Sequence, residues 1–238
     1  ASMRYTTGYA LRKGLNFDGS QSVRDKSYVG SIVFRSAEAY LNYIEACYEA
    51  TGALDADAER YWTAIRDRSK VGNWQTTIDN TDMEKEKETD WGAYSAGKLV
   101  DATLFNIRRE RRCELMAEGF RAADVRRWRS MDQMIDTPYH VLGVNVWESL
   151  SSNPDFLVAN GNNLKEGENI SPKDFSKYCA PYHILSNNRA YEGYRWRMAH
   201  YLDPIAVQHF LITGGGSADN STLYQNPGWP LQAGQGAE

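Results

Sequence analysis

The stretch "SAEAYLNYIEACYEATG" limits most strongly how this chain folds, because its apolar residues recur at helical spacing. Placed at about 100° per residue, they form two apolar stripes on one predicted helix. The first stripe comprises Ala37, Tyr40, Leu41, Ile44, Cys47 and Tyr48, and the second comprises Ala39, Tyr43, Ala46 and Ala50. We therefore expect this helix to be packed on two sides. The polar strip left for solvent consists of Glu38, Asn42, Glu45 and Glu49.

A second helix is predicted directly after the first. Gly52 is suited to end the first helix, and Asp55 or Asp57 to cap the next one, "AERYWTAIRDRS". Two antiparallel helices joined by a short turn match the tetratricopeptide unit of about 34 residues in size. Because such units need stacked neighbours, we expect further repeats to be missing from this sequence. The aligned apolar residues of the second helix are Ala58, Tyr61, Trp62 and Ile65.

The remaining segments are predicted in broad outline. Residues 1–31 read as loop with one short strand near "YALRKG", and residues 32–132 as helical. The helical part contains a polar insertion over residues 69–97, followed by a long helix from about Lys98 to Glu118. Residues 133–238 show little periodicity and are predicted to form long ordered loops that wrap over the helices. The fold class is therefore mostly α, with tetratricopeptide-like helix pairs, long loops and few short strands.

Charge and composition exclude several functional classes. The chain of 238 residues has a formal net charge of -4, which argues against a nucleic-acid partner. Its three cysteines are widely spaced and its four histidines lack metal-ligand spacing, so we expect neither a metal nor a cofactor. We interpret Cys47 and Cys113 as small core residues, since both fall in helical patterns. No apolar run is long enough to span a bilayer.

The segment "RRERRCELMAEGFRAADVRRW" contains seven arginines and four acidic residues. Arginine is suited to partly buried pairing, because its planar fork takes a carboxylate with two hydrogen bonds. The basic residues surround the predicted helix and alternate with acids, which disfavours a nucleic-acid surface. Glu110, Glu114 and Glu118 lie along one predicted helix beside arginines, which disfavours catalysis. We therefore predict a structural salt-bridge network formed by Arg111, Glu114, Glu118, Arg121 and Asp124.

The same segment strongly resembles the signature of the SusD/RagB family, with its ERR-x-E-L element, E-G-x-R turn and D-[LV]-R-R-W helix. The stretch "VFRSAEAYLNYIEACYEATG" is similar to a second family helix, and "YLDPIAVQHF" and "YQNPGW" to the family's C-terminal end. Ala206 stands where the family usually has proline. The matches span Val33 to Trp229. The resemblance implies that residues 1–238 form a single region, the C-terminal portion of a SusD-like protein, whose N-terminal repeat half lies outside this sequence.

The resemblance also implies a function. It indicates a lipoprotein on the surface of the outer membrane, whose lipid anchor lies outside this chain. Such a protein captures nutrients, usually glycans, and covers a SusC-like TonB-dependent transporter without catalysing a reaction. Two alternatives stay open, a peptide-capturing relative and a non-catalytic protein-interaction scaffold of the transporter complex. A hydrolase is disfavoured, because the sequence has no nucleophile elbow and no metal motif.

Candidate ligand-binding residues follow from the chemistry of sugars. Sugar-binding sites pair exposed aromatic rings with amide or charged side chains. The insertion and the stretch "YEGYRW" both carry this combination. The alternative for each aromatic residue is a loop anchor that packs onto the core. The candidates are Asn73, Trp74, Trp91 and Tyr94 in the insertion, and Tyr194 and Trp196 in the second stretch.

Overall fold

The computed structural model describes Tyr9 and residues 11–14, 16–23, 25–30, 32–159, 164–232 and 234–237. Within these residues the fold is mostly helical, as predicted, with one two-stranded sheet. The predicted short strand near "YALRKG" does not form in the described part of that stretch. The α-helices are α1 (Ser36–Thr51), α2 (Ala56–Ser69), α3 (Trp74–Asp79), α4 (Met83–Glu86), α5 (Ala102–Glu114), α6 (Arg121–Arg127), α7 (Pro154–Ala159) and α8 (Val207–Thr213). The strands are β1 (Tyr94–Ser95) and β2 (Lys98–Leu99).

The chain divides into two compact units. The helical unit comprises Lys13–Gln133, and the loop-rich unit comprises Met134–Glu238 together with the described residues before Lys13. That residues 1–238 form a single C-terminal region of a SusD-like protein stays a prediction.

Helices α1 and α2 form an antiparallel pair. Gly52 ends α1 in the left-handed conformation, with φ of 73°, and the Asp55 carboxylate caps α2 by accepting a backbone N–H. Tyr43 donates a hydrogen bond to Asp55 at 2.7 Å, while Tyr40, one turn earlier, stacks on Tyr61 with ring centroids 4.5 Å apart. The earlier residue of α1, Tyr40, contacts the later position of the second helix, so the two helices are antiparallel.

Helix α5 completes the core of the helical unit. The Asp101 carboxylate caps α5 and also accepts a hydrogen bond from Tyr48 near the end of α1. The first predicted stripe of α1 and the stripe of α2 face this core, and full burial of a large apolar side chain stabilises the fold by about 1.5–3 kcal/mol. The buried cluster consists of Leu41, Ile44, Ala58, Trp62, Ile65, Ile107 and Leu115.

The exposure of the second stripe of α1 contradicts the prediction that this helix is packed on two sides. The residues of that stripe are exposed in the helical unit, so α1 is packed on one broad side and not on two. Glu45, predicted to lie on the polar strip, is instead buried among side chains of α6 and the following residue. Cys113 is exposed rather than part of the core, whereas Cys47 is half-buried. The exposed residues of the second stripe are Ala39, Tyr43, Ala46 and Ala50.

The insertion forms short elements rather than an irregular loop. Asn73 and Asp82 cap α3 and α4 with their side chains. A 3-10 turn at Trp91–Ala93 leads into the hairpin of β1 and β2, in which Tyr94 pairs with Leu99. The two turn residues of this hairpin both have positive φ, as a tight two-residue hairpin turn requires.

The arginine-rich helix is shorter than predicted. Helix α5 ends at Glu114, four residues before the predicted end at Glu118. Ala117 and Gly119 adopt φ values of 63° and 87°, which are incompatible with a continued right-handed helix. The resulting turn leads into α6, which ends at Arg127.

The loop-rich unit has a smaller core and short helical turns. Val146, Ile170 and Cys179 form its buried cluster, against which Trp147 packs. Trp147 donates a hydrogen bond from Nε1 to the Ser171 carbonyl at 3.1 Å. Besides α7 and α8, this unit contains a π-helical turn at Val146–Leu150 and 3-10 turns at Met198–Tyr201 and Ala218–Asn220.

Candidate functional site

The centre of the arginine-rich segment is a buried ion pair. Arg111 donates from Nε to both oxygens of Asp124, at 2.9 and 2.8 Å, and from Nη1 to Asn42 at 2.6 Å. The side chains of Arg111 and Asp124 are 6% and 4% exposed. Arg127 pairs with Asp124 at 3.0 Å and with Glu45 at 2.6 Å, which extends the group to α1. This group joins α1, α5 and α6.

Glu114 and Glu118 belong to a second group, which ties the start of α1 to the turn after α5. Arg35 donates from Nε to both oxygens of Glu118, at 3.0 and 2.9 Å, and pairs with Glu114 as well. Lys13 also pairs with Glu118, and Arg68 of α2 with Glu114. Both glutamates are therefore paired with basic residues of distant segments rather than with Arg111.

Arg121 belongs to a third group, centred on Asp90 of the insertion. The Asp90 carboxylate pairs with Arg121 at 3.2 Å and with Arg112, and it accepts the Gly92 N–H at 2.9 Å. The five predicted network residues are thus all ion-paired, in three separate groups. Their collective structural role stays a prediction. The ion-pair partners outside the predicted network are Lys13, Arg35, Glu45, Arg68, Asp90, Arg112 and Arg127.

Arg108 is a further buried residue that sequence reasoning missed. Its guanidinium lies over the Trp128 ring, 4.8 Å from the centroid, and donates to the Ser95 hydroxyl at 2.8 Å and the Gly92 carbonyl at 3.2 Å. Burial lowers the pKa of Arg108, and the charge of Glu49 opposes this shift. Arg108 therefore connects α5 to the hairpin and to the residue after α6.

The ion pair of Glu118 predicts a specific pH dependence of stability. Hydrogen bonds from Arg35 hold the pKa of Glu118 at about 2, below its ordinary value of 4.5. The stabilisation by charged Glu118 is therefore complete above the unfolded pKa and is lost as the pH falls through the folded pKa. We expect Glu118→Gln to make the free energy of unfolding less dependent on pH between about 4.5 and 2.

Urea unfolding at a series of pH values measures this effect. Glu84→Gln is the matched control, because Glu84 is 73% exposed and pairs with Lys87 on the surface of α4. The control should follow the wild-type pH profile. An unchanged profile for Glu118→Gln would contradict the assigned pKa.

Two of the predicted ligand residues, Asn73 and Trp74, make structural contacts at the start of α3. Trp74 is half-buried and stacks on Trp62, with ring centroids 5.1 Å apart, and its Nε1 donates to the Thr63 hydroxyl at 3.2 Å. The Asn73 side-chain oxygen accepts the Gln75 N–H at 2.7 Å. The predicted contact of these two residues with a ligand stays a prediction.

A polar cleft of about 410 Å³ lies beside Asn73, between α2, α3, α4 and α5. Trp74, Trp91 and Tyr94 lie outside its lining. Trp91 is half-buried in its 3-10 turn, and Tyr94 is half-buried in β1. The structure therefore brings one of the four insertion candidates to a cleft. Its polar lining includes Asn73, Thr76, Thr77, Asn80, Arg66 and Arg109.

The loop-rich unit carries an exposed aromatic surface around Tyr194. Tyr139 and Tyr194 exchange two backbone hydrogen bonds of 2.8 Å in an antiparallel bridge. Residues directly opposite in such a bridge extend their side chains to the same face. The ring of Tyr182 meets that of Tyr194 edge-on, with centroids 5.9 Å apart. We call Tyr139, Tyr182 and Tyr194, which are 41%, 41% and 45% exposed, the tyrosine patch.

Trp196, the other candidate in this unit, packs inward. Its ring contacts Tyr201 and His200, with centroids 5.0 and 5.2 Å away. Its backbone N–H donates to the Met134 carbonyl at 3.1 Å. Trp196 therefore supports the backbone beside Tyr194, and its contact with a ligand stays a prediction.

The tyrosine patch has defined chemical properties. Burial raises the pKa of Tyr194, and a hydrogen bond with Tyr182 acts in the same direction, so the Tyr194 phenol is neutral at physiological pH. Neutral phenols offer an apolar ring face together with a hydroxyl that donates and accepts. Over the described part of the chain, no group of three or more His, Cys, Asp and Glu residues could hold a metal ion. The patch is suited to binding rather than to acid–base chemistry.

The fold and these contacts define a mostly helical protein built on a tetratricopeptide-like helix pair. Comparison with known proteins identifies its family. The family model of the SusD family matches residues 2–229, and the chain belongs to this family. No curated protein and no solved structure matches the chain.

Membership supports a general role. Proteins of the SusD family bind nutrients, either glycans or peptides, in association with a transporter, and they are not known as enzymes. They are typically associated with the outer membrane. In the described ranges, no helix has the length and apolar character to cross a membrane.

Proposed function

We propose that this protein captures glycans at the cell surface and delivers them to a SusC-like TonB-dependent transporter of the outer membrane. It acts as a surface lipoprotein that binds its ligand without a catalytic step. The observation that carries the glycan assignment is the tyrosine patch, in which the exposed Tyr194 is bridged to Tyr139 through the backbone and meets the ring of Tyr182 edge-on.

The geometry of the patch supports a sugar ligand in two ways. Sugar rings present apolar C–H faces and polar rims, and aromatic rings with hydroxyl groups complement both. The backbones of Tyr139 and Tyr194 are held by their pairing, so little backbone entropy is lost when a ligand binds. Arg195, the neighbour of Tyr194 in sequence, is exposed and offers further hydrogen-bond donors.

The first test is affinity electrophoresis against a panel of soluble polysaccharides. We expect one polysaccharide to retard the protein, and Tyr194→Ala to weaken the affinity by about tenfold or more. This magnitude follows by analogy with a nucleobase stacked on an aromatic side chain, which contributes roughly 1–3 kcal/mol. Tyr194→Phe should keep most of the affinity because it keeps the ring. The backbone pairing with Tyr139 is unchanged in both variants.

Tyr224→Ala is the matched control, because Tyr224 is 92% exposed in the same unit and lies outside the patch. It should bind as the wild type does. Retardation that Tyr194→Ala and Tyr224→Ala reduce equally would argue against the patch. Absence of retardation by every polysaccharide, with heat released on mixing with peptides in calorimetry, would favour peptide capture instead.

A further inference from the structure

A second pocket lies at the turn between α5 and α6, in the helical unit. It has a volume of about 380 Å³, within the range of small-molecule sites. Leu115, Met116 and Phe120 supply apolar surface, and Met116 is 54% exposed. Two arginines, Arg112 and Arg121, lie at the same pocket. The pocket therefore combines an apolar wall with guanidinium groups.

The charges around this pocket are unbalanced. The Asp124 carboxylate is engaged by Arg111, and Asp90 is shared by Arg112 and Arg121. Arg127 shares Asp124 and also pairs with Glu45, so four guanidinium groups have three carboxylates between them. The side chains of Arg112 and Arg121 are 37% and 38% exposed, so both remain accessible from solvent. Burial lowers the pKa of Arg121, and the positive charge of Arg112 acts in the same direction.

We propose that this pocket binds a small organic carboxylate that carries an apolar group beside the acid. Its carboxylate accepts hydrogen bonds from Arg112 and Arg121, which are planar donors suited to a two-oxygen acceptor. Its apolar group lies against Met116 and Phe120. The proposal goes beyond glycan capture at the tyrosine patch and does not depend on it.

The lining also specifies what the pocket does not favour. The side chains that line it are apolar, arginine or aspartate, without a hydroxyl or amide side chain among them. The several hydroxyl groups of an acidic sugar would therefore lose hydrogen bonds to water that the pocket does not replace. An aliphatic carboxylate has no such hydroxyl groups, and the arginines replace the hydrogen bonds that its acid loses to water, so it is the ligand class that fits.

Calorimetry with 4-methylpentanoate as the probe tests the proposal on the whole chain. Its amide, 4-methylpentanamide, is the neutral matched ligand, and glucuronate is the polar acid. We expect 4-methylpentanoate to bind at least about tenfold more tightly than either, a difference of about 1.4 kcal/mol. Equal affinity for the acid and its amide, or no detectable binding of 4-methylpentanoate, would overturn the assignment of a carboxylate site. Tighter binding of glucuronate would overturn the assignment of an apolar group to the ligand.

A pair of variants places the binding in this pocket. Ala122 lines the pocket from an exposed position of α6, so a larger side chain is accommodated there without loss of core packing. Ala122→Glu introduces a tethered carboxylate, which should compete with the probe and abolish its binding. Ala122→Gln has nearly the same shape without the charge and should retain more affinity. Both variants keep the tyrosine patch, so polysaccharide retardation should be unchanged. Equal probe affinity in the two variants contradicts the location.

Discussion

Replacing Asp124 by asparagine should lower the free energy of unfolding of the helical unit by about 3–5 kcal/mol. Arg111 donates from Nε to both carboxylate oxygens, at 2.9 and 2.8 Å, in a site where both side chains are almost fully buried. An asparagine keeps one oxygen acceptor but no charge, so the guanidinium of Arg111 stays buried without its counter-ion. Urea unfolding followed by circular dichroism measures the change.

The matched control for this prediction is Asp57→Asn. Asp57 also pairs with an arginine, Arg60, at 2.6 Å, but their side chains are 56% and 64% exposed. Exposed pairs contribute little, because water screens both charges and the side chains lose entropy on pairing. The control should therefore unfold close to the wild type. Similar losses in the two variants would show that burial does not set the contribution of the Asp124 pair.

The helix pair could be predicted from sequence because its determinants are local. The periodicity that places Leu41 and Ile44 on one face is complete within α1, and Gly52 ends that helix through its own backbone preference. The loop-rich unit lacks such a signal. Its cluster joins Val146, Ile170 and Cys179 from separate short segments, and no repeating pattern in the sequence connects them.

Glu45 shows why helical periodicity alone misassigns some polar residues. On a helical wheel it lies with other polar residues and is predicted to face solvent. Its burial depends on Arg127 and Trp128, which are 82 and 83 residues further along the chain and both contact its carboxylate. A buried acid of this kind is paired with a distant base, and sequence periodicity carries no record of that partner.

The candidate site was predictable only where its residues are marked by a local sequence pattern. Tyr194 follows from the local aromatic stretch "YEGYRW", whereas Tyr139 and Tyr182 stand in unrelated stretches and join it through a backbone bridge and a ring contact. In the insertion, the sequence could not distinguish a ligand-binding tryptophan from a loop anchor. The structure places the Trp74 ring on the buried ring of Trp62.

Trp62→Ala should be the most destabilising of the core substitutions, with a loss of about 3–5 kcal/mol in the free energy of unfolding. Trp62 is 1% exposed at the centre of the α1, α2 and α5 cluster. Its loss leaves a cavity and removes the Nε1 donor that reaches Glu110 at 3.0 Å. Trp62→Phe keeps most of the ring, and Arg66 still pairs with Glu110 at 2.6 Å, so its loss should be smaller. Urea unfolding measures both.

Trp74→Ala is the informative comparison, because it bears on the predicted ligand role of Trp74. This substitution uncovers one face of Trp62 but leaves the rest of the core filled, so its loss of stability should be clearly smaller than that of Trp62→Ala. A loss as large as that of Trp62→Ala would contradict this placement. Weaker polysaccharide binding by Trp74→Ala indicates ligand contact if unfolding shows that the variant remains folded under the binding conditions. If the variant is largely unfolded there, the loss of binding follows from the loss of the core.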